Sequence, residues 1–235
     1  MNLKRRLLSK QLAAFLTVGL LILGVGVIIT NNTVGPISSP KLTVRGHHFG
    51  ALELGGSLEE QVRRWQDGLF LEAYAAKYRV ADDNVPAFVL TDKAYFRFVG
   101  WRSDWWGKLI SHYNANHLIV NVTIDMEDRE LIELSHSHGE PFGFDAPLQV
   151  TQWPYGEKKL LQICDDFGGM EFRQAHGVDL AHVHASSTRA GRFWTVEYNR
   201  APEHFTCTTN LDTGEILTQR EGADWQTVGN LSQME

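Results

Sequence analysis

Catalytic signatures are what this chain most plainly lacks. It has no Gly-x-Ser-x-Gly elbow, no His-Glu-x-x-His pair, no phosphate-binding loop and no Cys-x-x-Cys. Basic residues are also short: 22 Lys and Arg stand against 28 Asp and Glu, for a net charge of −6. That balance argues against nucleic acid or anionic lipid as a partner, because both reward basic patches. Cysteine is nearly absent, with only Cys164 and Cys207. Outside the cytoplasm such a pair can close a disulfide, and two buried free thiols are the alternative.

Charge is missing altogether from Leu12 to Thr30, a run rich in Leu, Ile, Val and Gly. About 20 apolar residues span the hydrocarbon core of a bilayer as a helix. Lys4, Arg5, Arg6 and Lys10 precede the run, and no charge follows until Lys41. Basic residues stay on the cytoplasmic side of a first span. The expectation is a single-pass signal-anchor at the cell membrane, with its N-terminus cytoplasmic and its C-terminal domain extracytoplasmic. A cleaved signal peptide is the rival, but its apolar region is usually shorter, about 7–15 residues, and ends in a small-x-small site.

The expected layout follows. Residues 1–11 are cytoplasmic, 12–30 transmembrane and 31–40 a linker. Residues 41–140 form a first α+β half, 141–156 a connector, 157–220 a second half and 221–235 a polar tail. A strand is expected within Lys41–Leu54. Ser57, with Glu60 three residues on, has capping-box spacing. Val62, Trp65, Leu69, Ala73 and Ala76 recur at helical steps, which predicts a helix to about Tyr78. Strands are predicted at 87–90 and 94–99 around a Thr91-Asp92-Lys93 turn, and a short helix within 101–116. Further strands are predicted at 117–125 and 130–134 around Met126-Glu127-Asp128. In the second half, 156–167 reads as a helix, 178–186 and 192–198 as strands, and 205–211 with 215–219 as a hairpin around Asp212-Thr213-Gly214. Both halves share the order helix, strands, hairpin with an acidic turn, which points to an internal duplication with turns of unequal length.

Trp194-Thr195-Val196 and Leu211-Asp212-Thr213-Gly214-Glu215-Ile216-Leu217 carry a family resemblance. The stretch from about Glu157 to Thr218 resembles a PepSY-like domain, with a diverged copy expected in the N-terminal half. The resemblance implies a helix packed on an antiparallel sheet, outside the cytoplasm, with inhibitory or protein-binding roles. It transfers no catalytic residue. Trp194, Val196 and Ile216 become core positions and Gly214 a turn position.

Histidine supplies the remaining chemistry. His136-x-His138 and His182-x-His184 place two imidazoles on one face of a strand, the arrangement a zinc or copper site requires. The plainer reading of His182 and His184 is a solvent-facing strand edge, with Ala181, Val183 and Ala185 turned inward. Trp101, Trp105 and Trp106 form an aromatic segment that either docks a partner or packs the core. The expectation is a non-enzymatic, cofactor-free, membrane-anchored protein that binds or modulates another protein at the membrane. A zinc- or copper-handling protein is the alternative.

Overall fold

After Gly68 the chain alternates rather than spirals. Leu71, Tyr74, Ala76, Tyr78 and Val80 are buried, with partly exposed residues between Tyr74 and Val80. Side chains that alternate between two faces define a strand. The computed structural model describes residues 41–44, 50–81, 87–101, 117–139, 147–148, 155–222 and 224–234. In it the helix predicted to reach Tyr78 ends at Trp65. Helix α1 spans Ala51–Trp65, and strand β1 is Phe70–Ala81. Ser57 is inside α1, and its N-cap is Gly50.

The remaining strands are β2 (Ala87–Trp101), β3 (His117–Asp125), β4 (Glu130–Gly139), β5 (Leu180–Thr188), β6 (Gly191–Arg200), β7 (Glu203–Asn210), β8 (Glu215–Arg220) and β9 (Gln226–Asn230). Before β5 come α2 (Glu157–Cys164), a π turn (Asp165–Gly169) and α3 (Met170–His176). Phe167 and Gly168 leave helical geometry, with Gly168 at φ 110°, so α2 and α3 form one kinked helix. Every strand pairing is antiparallel, in the order β4-β3-β2-β1-β5-β6-β7-β8-β9.

Two expectations are corrected here. In place of separate α+β units behind a transmembrane helix, the halves merge into one nine-stranded antiparallel sheet through β1 and β5. No helix among the described residues is long and apolar enough to cross a membrane. Leu12–Thr30 lies outside those residues, so the structure gives the expected single-pass span no support.

Smaller corrections follow from backbone geometry. The Thr91-Asp92-Lys93 turn is an irregularity inside a continuous β2, where Asp92 takes φ 58°. The tail is ordered into β9 and a short 3-10 turn that buries Leu231. Residues 41–44 are not in a strand, and Gln61 clasps Thr43 through its backbone N–H (2.8 Å) and carbonyl (3.1 Å).

Each half is a helix followed by a four-strand meander. Their last turns correspond residue for residue, so the expected difference in length is absent. Asp125 Oδ1 accepts from the N–H groups of Glu127 (2.9 Å) and Asp128 (3.2 Å). Asn210 Oδ1 accepts from Asp212 (2.9 Å) and Thr213 (3.2 Å). Such Asx turns replace a backbone turn with a side-chain acceptor. Arg129 (φ 57°) and Gly214 (φ 73°) then occupy the same left-handed position.

The junction is packed by size. Tyr74 lies across from Ala185, Ala76 from Val183 and Tyr78 from Ala181. All six are buried, so each large side chain of one strand is matched by a smaller one on the other. The helices cover this face. A Cβ on Gly55 would lie 2.9 Å from Leu71 Cδ2 and 3.2 Å from the Phe96 ring, so glycine lets α1 settle close to the sheet.

Cys164, at the end of α2, is joined to Cys207 in β7. The bridge spans 43 residues, and closing a loop of that size removes about 4 kcal/mol of unfolded-state entropy on the chain-entropy model. Replacing both cysteines by alanine is expected to cost about 2–4 kcal/mol, read by urea unfolding. Adding reductant during unfolding of the wild type should reproduce most of that loss.

Candidate functional site

Two buried carboxylates, those of Glu157 and Asp165, are engaged in holding the fold. Glu157 opens α2 yet reaches the start of α1 in the other half. Its Oε2 accepts from the Leu52 N–H at 3.1 Å, and its Oε1 from the Tyr74 hydroxyl at 2.7 Å. The Tyr78 hydroxyl also bonds this carboxylate and accepts from the Ala51 N–H at 2.8 Å. Trp194 Nε1 donates to the Tyr74 oxygen at 3.0 Å. A carboxylate at a helix N-terminus meets both unpaired N–H groups and the positive end of the dipole. A Cβ on Gly50 would lie 2.6 Å from Glu157 Oε2, so glycine there admits the carboxylate. Burial pushes both tyrosines well above their usual range, with the Glu157 charge adding to it. They therefore stay protonated and act as donors.

A second buried cluster sits at the kink. Asp165 accepts from Arg173 Nη2 at 2.6 Å and from the Tyr198 hydroxyl at 2.7 Å. Arg173 also lies over the Tyr198 ring, 5.5 Å from its centroid. Burial, then the neighbouring Asp165 charge, pushes the Tyr198 phenol up. Neither cluster was foreseen from the sequence. The local signals were a Glu in a helix first turn and an Asp three residues before a Gly-Gly pair, and neither identifies a partner distant in sequence.

The histidine pairs do not converge. His182 and His184 share the face of the sheet away from the helices, half-buried and exposed respectively. His136 is on the opposite face, with its ring 6.4 Å from Trp65 of α1. Four strand spacings separate β4 from β5, about 19 Å. His138 pairs with Leu118 in the β3–β4 register. Among the described residues no group of three or more His, Cys, Asp or Glu is placed to hold a metal. Trp101 ends β2 opposite His117, and Trp105 and Trp106 lie outside the described residues. Trp194, Val196 and Ile216 are fully buried.

The face away from the helices carries a groove of about 550 Å³. Its floor is Ala73 and Ala75, outward positions of β1. Tyr95 and Arg97 of β2 rise on one side, and His184 and Ser186 of β5 on the other. Glu133 and Ser135 of β4 line the far end. Two alanines on the central strand between longer neighbours make the depression. Arg97 is held by Glu72, Nε to Oε2 at 2.7 Å. Glu133 and His184 stand on β4 and β5, four strands apart, whereas acid–base partners work at about 3 Å. The groove offers shape, a phenol, hydroxyls and separated charges.

Burial holds the Glu157 carboxyl above its usual 4.5, against hydrogen bonds from Tyr78, Leu52 and Tyr74 that lower it. The native state therefore keeps this proton to higher pH than the unfolded chain. The resulting stability is complete below pH 4.5 and is lost as pH rises through the raised native value. Glu157→Gln has no such proton to lose. Urea unfolding across this window should show wild type losing stability relative to Glu157→Gln as pH rises, and a pH-independent difference would contradict the assignment. Asp165→Ala, which removes the carboxylate from buried Arg173, is expected to cost about 3–5 kcal/mol in the same assay at neutral pH.

No protein-family model matches the chain, and no curated protein and no solved structure matches it.

Proposed function

We propose that this protein is a non-enzymatic, extracytoplasmic, PepSY-like domain that binds another protein through the open face of its sheet. One observation carries the reading. The groove over Ala73 and Ala75 lies on the face opposite the helices, with Tyr95 beside it 48% exposed. Aromatic side chains at the rim of a shallow depression are common anchors for a protein partner. The internal carboxylates Glu157 and Asp165 are consumed by structural contacts. The buried Cys164–Cys207 bridge supports the compartment, because disulfides persist where the environment is oxidising. The PepSY-like reading draws on the repeated helix-plus-meander and on Gly214 in its left-handed turn position.

The test is site-specific photocrosslinking in the native host. A benzoylphenylalanine at Tyr95 is expected to give a discrete protein adduct, and one at the exposed Asp166 on the helical side is expected to give none. Ala75→Trp fills the groove floor and should abolish the Tyr95 adduct while leaving stability within about 0.5 kcal/mol of wild type. Equal adducts at both positions, or an adduct indifferent to Ala75→Trp, would remove the groove from the reading.

A further inference from the structure

The duplication allows one edge of the sheet to be compared with its twin. Asp125 corresponds to Asn210, Arg129 to Gly214 and Glu130 to Glu215, so β4 corresponds to β8. The far side of β8 is occupied. Strand β9 pairs there antiparallel, with Glu215 opposite Asn230, Ile216 opposite Gly229 and Leu217 opposite Thr227. On the far side of β4 no strand pairs among the described residues. The two edges also differ in length, since β4 runs for 10 residues and β8 for 6.

Exposure follows the difference. Ile216, covered by the β9 segment, has no accessible surface, and its counterpart Leu131 is 37% exposed. The neighbouring Ile132 is 47% exposed. A long edge strand that presents apolar side chains and a row of unpaired backbone groups is a template for an added strand. The chemistry of that strand is set by charge. Glu127, Asp128, Glu130 and Glu133 are all exposed along this edge and its turn, with Arg129 as the single base. Glu130 and Glu133 point to the groove face, and Leu131 and Leu134 to the helix face.

We propose that β4 receives an extended segment of a partner protein as a tenth antiparallel strand, one that alternates basic and apolar residues. Basic side chains would meet Glu130 and Glu133, and apolar ones Leu131 and Leu134. The proposal rests on the reading of this protein as a binding domain; the edge shares Glu133 with the far end of the groove but not the groove floor, so Ala75→Trp tells the two apart.

The test uses the full chain and a fluorescein-labelled peptide, Val-Lys-Val-Lys-Val-Lys-Val. Anisotropy is expected to report a Kd between roughly 1 and 100 μM, weakened at least about tenfold by the double variant Glu130→Lys/Glu133→Lys. The same peptide N-methylated at every backbone amide keeps its charge but has no ladder donor on either edge, and it should not bind. Because that control uses wild-type protein, it decides the matter even if the double variant misfolds. Ala75→Trp should leave peptide binding unchanged. Absence of binding, or equal binding of the N-methylated peptide, overturns the proposal. A concentration-dependent dimer in sedimentation velocity, lost in Ser135→Pro, overturns it in favour of a second copy on the same edge.

Discussion

One carboxylate joins the two halves of this molecule. Glu157 belongs to the first turn of the second half's helix, yet its acceptors serve the first turn of α1 and two tyrosines of β1. Trp194 of β6 completes the chain of contacts through Tyr74. Helix starts, the central strand pair and the core above it are thereby fixed by a single side chain. Removing a partner from a buried network of this kind leaves several groups unpaired at once, which is costlier than the loss of one bond. The small residues around it follow from the same constraint. Gly50 makes room for the carboxylate, and Ala181 and Ala185 make room for the tyrosine rings.

The repeat of helix and meander gives the rest of the architecture its logic. Two helix-plus-meander units would each leave a sheet edge open at the first strand. Pairing β1 with β5 closes both edges against each other and produces one continuous core. The two halves differ in their devices. The second has a kinked helix, a buried Asp165–Arg173–Tyr198 cluster, a disulfide and a covering strand. The first has the outward alanines that form the groove and a longer outer strand.

Much of the second half was legible in the sequence, because its turns are written in local chemistry. Asp212-Thr213-Gly214 places glycine where φ must be positive, and the strand before it alternates cleanly. The first half was harder for identifiable reasons. Leu69, Ala73 and Ala76 happen to continue the helical spacing of Val62 and Trp65, and a register irregularity between Leu71 and Ala73 disturbs the alternation that would have revealed β1. The end of the Lys41–Leu54 stretch expected to hold a strand and the capping box at Ser57 both fall on a single helix, in which Gly55 allows close approach to the sheet. Arg129 holds the left-handed position that glycine marks in the twin turn, so the equivalence of the two turns was hidden. The hub itself was invisible, since Glu157 and Leu52 are 105 residues apart. The histidine pairs illustrate the limit of spacing arguments: period two places His182 and His184 on one face but says nothing about which face His136 takes.

The disulfide lies entirely within the second half, linking α2 to β7. A cross-link restrains only the part of the chain it encloses. The two halves therefore share a sheet but not a resistance to opening. The cross-link restrains opening of the segment from Cys164 to Cys207, and the first meander lies outside that segment. The meander left outside that loop is the one that carries the groove floor and the outer strand β4.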